Sequence, residues 1–148
     1  MINDVNQEAI GILALTENDF LKALEVLERQ LNVLHMRAQV LMSLAGIVIT
    51  VTGFSGRLIA GTSLVAQISV IAGLATVLAS AVWVFLKIMS IKWITNNIYQ
   101  RDGLACIVEI LERRNAKTRA FSIGGKILCV GLLLYSIAFS IMLLSPHG

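Results

Sequence analysis

Three long apolar runs, Ala38 to Phe54, Leu64 to Leu86 and Ile127 to Leu144, contain no aspartate or glutamate. A helix rises about 1.5 Å per residue and a bilayer core is about 30 Å thick, so each run reaches across with modest tilt and its flanking residues. A soluble core has no use for three such stretches. With 57% hydrophobic and 14% charged residues and a mean hydropathy of +0.81, the chain reads as an all-α integral membrane protein with three transmembrane helices. Carboxylate-free spans argue against a proton-coupled transporter, where intramembrane acids carry the relay.

Basic residues set the orientation. Eleven of the twelve Lys and Arg lie before the first run or between the second and third, and only Arg57 lies in the short connection "SGRLIAGTS". The expectation is an N-terminus in the cytoplasm and a C-terminal "SPHG" outside. The opening "MINDVNQEAIGILALTEND" lacks the basic n-region of a signal peptide, which predicts that no leader is cleaved.

Four regions follow: a cytoplasmic helical region over 1–37, a transmembrane hairpin over 38–86, a basic cytoplasmic helical hairpin or stalk over 87–122, and a third span with a short outer tail over 123–148. In the first, Thr16 and Asp19 suggest a capping box for a helix starting near Asn18. Leu24, Leu27, Leu31, Leu34, Ala38 and Leu41 then recur at steps of three and four, a heptad seam that no Gly or Pro stops before the membrane. This seam is a candidate for self-association about an axis, or for packing on the 104–114 helix of its own chain. Residues 1–15 form either a short amphipathic helix or a frayed or membrane-lying segment. "KIMSIKWITNNIYQRDG" extends the second helix to about Arg101 before a turn at Asp102 and Gly103; "LACIVEILERRNAKTRAF" returns as an amphipathic helix. Gly124 and Gly125 mark a candidate hinge, and Trp83 and Trp93 suit the inner headgroup level.

No constellation carries catalysis: His35 and His147 stand alone, and neither a metal-ligand cluster, a cofactor fingerprint nor a nucleophile motif occurs. Cys106 and Cys129 lack CxxC spacing and read as packing residues. The expectation is a non-enzyme without cofactor or metal.

Within "MSLAGIVITVTGFSGR", Ser43, Gly46, Thr50, Gly53 and Arg57 recur at steps of three and four. Small residues let helices approach closely, and hydroxyl stripes also line pores. These residues are therefore candidate pore-lining positions or packing positions. Thr62, Ala66, Ser69, Gly73, Thr76 and Ser80 repeat the spacing in the second span.

Charge is divided along the cytoplasmic part: 1–37 carries six acids against three bases, and 87–122 seven bases against three acids. The densest cluster, Arg113, Arg114, Lys117 and Arg119, fits anionic lipid heads, pairing with the acidic N-terminal helix, or a phosphate ligand held by Arg forks.

The segments "MRAQVLMSLAGIVI" and "RRNAKTRAFSIGGKILCVGLLL", joined by a two-span hairpin, make the layout similar to the small multi-span effectors of bacterial anti-phage systems of the Pycsar, CBASS and Hailong kinds. The resemblance implies a homo-oligomeric inner-membrane channel or pore-forming effector, controlled by a nucleotide or oligonucleotide signal from a partner enzyme; no duplex nucleic acid is expected as a partner. A non-conducting scaffold or assembly subunit and a phage holin are the alternatives.

Overall fold

The computed structural model describes residues 5–55, 64–89 and 103–144. These residues form four helices and no strand: α1 (Val5–Leu15), α2 (Phe20–Phe54), α3 (Leu64–Ile88) and α4 (Gly103–Leu144). α2, α3 and α4 are each long and apolar enough to cross a membrane. The connection with Arg57 and Thr62, the extension toward Arg101 with Trp93, Asp102 and the "SPHG" tail lie outside the described residues.

Polar side chains set the ends of α1 and α2. Asp19 Oδ1 accepts from the backbone N–H of Leu21 at 3.0 Å and of Lys22 at 3.3 Å, so Asp19 is itself the N-cap of α2. The expected box headed by Thr16 does not form. Thr16 closes α1 instead, its hydroxyl donating to the Ile12 and Leu13 carbonyls. The Asn18 N–H reaches Leu13 O at 2.8 Å and the Glu17 N–H reaches Ala14 O at 3.3 Å, the bonding pattern of a Schellman cap. That cap turns the chain through two left-handed residues, Glu17 at φ 56° and Asn18 at φ 61°.

With no proline to break it, α2 runs for 35 residues, about 52 Å. α4 runs for 42 residues, about 63 Å. Both exceed a bilayer core of about 30 Å, and both pass unbroken through the region boundaries at 37/38 and 122/123. In α4 neither Gly124 nor Gly125 interrupts the helix.

The core divides into two clusters along the bundle. In the stalk, Ala9 of α1, Ala23 and Leu27 of α2, and Cys106, Ile107, Ile110 and Leu111 of α4 pack together. Within the spans, Ala38, Leu41 and Ala45 of α2 meet Val77, Val84 and Ile88 of α3 and Leu128 of α4. α1 is thus a docked helix rather than a frayed end.

The closest backbone approach is between α3 and α4. Gly124, Gly131 and Ala138 recur at every seventh residue of α4 and are buried. A Cβ at Gly131 would lie 2.8 Å from Val77 Cγ2 and 3.0 Å from the Val77 nitrogen; one at Gly73 would lie 3.1 Å from Gly131 O. Here the small residues serve packing.

Candidate functional site

At the stalk end, the four basic residues of the cluster sit in different environments. Arg114 is the most engaged: its guanidinium grips both Glu8 oxygens at 2.8 and 3.0 Å, Gln30 Oε1 at 2.8 Å and Asn115 Oδ1 at 2.8 Å. Only 18% of the Arg114 side chain is exposed. Arg113 pairs along its own helix with Glu109. Arg119 is exposed. The first of these arrangements is the pairing of basic stalk with acidic N-terminus that the charge division suggests. A phosphate would have to displace Glu8 to use the Arg114 fork.

Lys117 does something the sequence does not suggest. Its ammonium donates to the Ile88 carbonyl at 2.9 Å, at the C-terminal end of α3, where a cation complements the helix dipole. His35 of α2 brings Nε2 to 3.1 Å from the same oxygen and 3.3 Å from Lys117 Nζ. Three helices therefore meet at one carbonyl. Burial, reinforced by the nearby Arg113 charge, holds the Lys117 ammonium below the usual lysine pKa.

Just beyond this node, two further side chains tie α3 to α4. The Ser80 hydroxyl, fully buried, donates to Gly124 O at 2.7 Å, and Trp83 Nε1 donates to Ala120 O at 3.2 Å. Lys87 covers the Trp83 ring at 5.5 Å, a cation–π contact. Trp83 is therefore a bond between helices as well as an amphipathic ring. Gly124 has a packing role: a Cβ there would lie 2.5 Å from Val84 Cγ2, whereas nothing lies within 4 Å at Gly125.

The seam and the stripe of α2 point to different faces. Leu27, Leu34, Ala38 and Leu41 are buried, and Leu24 and Leu31 partly so, against α3 and α4 of the same chain. Of the two uses open to that seam, intramolecular packing is the one this fold displays. Ser43, Gly46, Thr50 and Gly53 are all exposed, and a Cβ at Gly46 or Gly53 would meet nothing within 4 Å. The stripe therefore does not lean on its own hairpin partner. Thr50 satisfies its hydroxyl on Gly46 O at 2.9 Å. Of the two cysteines, Cys106 is in the stalk core and Cys129 is exposed.

His35, Glu8 and Gln30 escape sequence reasoning because their partners lie 53 or more residues away. Only the opposite charge of the 1–37 and 87–122 regions hints at the Glu8 pairing. No family model matches the chain, and no curated protein or solved structure matches it.

Proposed function

We propose that this chain is an oligomeric channel or pore-forming protein of the bacterial inner membrane, with its N-terminus in the cytoplasm and its C-terminus outside. The observation that carries it is the outward stripe of Ser43, Gly46, Thr50 and Gly53, which its own helices leave uncovered. In an assembly around an axis, that stripe supplies small and hydroxyl-bearing residues to a central path. The stalk is the controlling element: α1, α2 and α4 are locked by Glu8 and Arg114, and α2, α3 and α4 meet at Ile88 O. In the anti-phage setting that the resemblance implies, a nucleotide or oligonucleotide signal acts by competing with Glu8 for Arg114 or by recruiting a partner to the stalk.

The test is reconstitution of the full chain in liposomes with a potential-sensitive dye. A channel dissipates an imposed potassium potential, and Ser43→Cys or Thr50→Cys gives a flux that a small charged thiol reagent changes. Flux that never rises above that of empty liposomes, despite confirmed insertion, removes the proposal. It also selects the second reading, a non-conducting scaffold. That alternative draws support from Thr50, whose hydroxyl proton is spent on its own helix.

A further inference from the structure

With its buried face used up by α3 and α4, α2 presents a second repeat on the opposite side. Val26, Val33, Val40, Ile47 and Phe54 are spaced by seven, and all are exposed, from 40% at Val26 to 87% at Phe54. Three positions after each of the first four stand Arg29, Met36, Ser43 and Thr50. The stripe is thus half of a heptad: β-branched residues dominate the first position, and small hydroxyl residues take the fourth inside the membrane.

Two properties of this row specify its occupant. It runs about 42 Å along the helix and starts well before the first span, so lipid covers only its membrane half. Nor does lipid require a period, whereas a seven-residue repeat keeps facing another helix when the two supercoil left-handedly. The occupant is therefore a helix that follows α2 from water into the bilayer.

Charge specifies that helix further. In a parallel, in-register contact of α2 with itself, the flanking pairs are Glu25 with Gln30, Asn32 with Arg37, and Gln39 with Leu44, so no like charges oppose one another along the flanks. Arg29, the one charge of its row, faces Arg29 of the second copy at this register, and each guanidinium is offset by the Glu25 it binds at 2.7 Å in its own helix. Gly46 and Gly53 flank the membrane half with open space above them, which permits close approach.

We propose that α2 associates in parallel and in register with α2 of a second copy of this chain along the row Val26, Val33, Val40, Ile47 and Phe54. This rests on the oligomeric part of the proposed function and supplies its surface and its partner. The test uses the full chain carrying Cys129→Ser, which leaves the buried Cys106, reconstituted in liposomes, with one added cysteine at Val33, at Val40 or, off the row, at Glu28. Disulfides close only when Cα atoms come within about 7 Å, so mild oxidation should cross-link Val33→Cys and Val40→Cys roughly tenfold more than Glu28→Cys. Val33→Glu, at an exposed site that leaves helix content intact, should shift the otherwise unsubstituted chain to monomer in detergent. Equal cross-linking at Glu28, absent cross-linking with confirmed insertion, or a monomeric parent chain overturns the inference. Ion flux measured on the same liposomes separates the two proposals. Flux without row-specific cross-links overturns this contact alone, and row-specific cross-links without flux support the contact while removing the channel.

Discussion

Glu17 occupies a backbone position that suits glycine. Its φ of 56° lies in the left-handed region, which costs an L-residue about 1–2 kcal/mol, and Asn18 beside it is of a type that tolerates that region. Glu17 closes the Schellman cap of α1 through its backbone alone. Replacement by Gly relieves the steric cost but adds chain entropy to the unfolded state, for a net gain of about 0.5–1 kcal/mol. A denaturant titration of the purified protein in detergent, followed by circular dichroism, should place the Glu17→Gly midpoint above that of the parent. An unchanged or lower midpoint would mean that the turn is not built as described.

Between elements, glycines that look alike in sequence have opposite roles. Gly131 faces the Val77 backbone, which cannot move aside as a side-chain tip can, whereas Gly46 faces open space. Gly131→Ala should therefore destabilise the α3–α4 pair by about 1–3 kcal/mol. Gly46→Ala should leave the fold of the single chain within about 0.5 kcal/mol of the parent. Unfolding in detergent under monomeric conditions measures both, and equal effects would refute the difference in packing. The helix boundaries follow from local chemistry, since Asp19 caps α2 and 20–54 holds no proline to break it. Which face of α2 goes inward does not follow so simply. The inward seam and the outward row both have seven-residue periodicity, and the other helices cover the one whose leucines alternate with small residues, Leu27, Leu34 and Leu41 with Ala23, Ala38 and Ala45.

Across the whole molecule, the N-terminal helix is held to a helix more than a hundred residues away. The Glu8–Arg114 pair, separated by 106 positions and only partly exposed, docks α1 on α2 and α4 together with a small apolar contact around Ala9. Glu8→Gln removes one charge from a hydrogen-bonded pair, a loss of about 1–3 kcal/mol. Amide exchange in α1 should then quicken by roughly tenfold or more, while the amides at the α3–α4 contact remain protected. Arg114→Gln added to Glu8→Gln should cost much less than it does alone, because the pair is already broken. Uniform acceleration throughout the chain would instead mean that α1 is an inseparable part of the fold.

The sequence by itself determined the three apolar helices, the unbroken run of α2 from its leucine seam into its apolar half and the division of charge. Each is written in local composition and spacing, which a helix expresses whatever it packs against. Tertiary structure alone decided that the Leu seam turns inward, that the Ser43 stripe turns outward beside the valine row, and that Gly124 is a packing contact within a continuous helix. It also brought His35 and Lys117 to the Ile88 carbonyl. Such pairings depend on how two helices are rotated and shifted against each other, and that choice is settled by the summed fit of many side chains, so no single residue announces it.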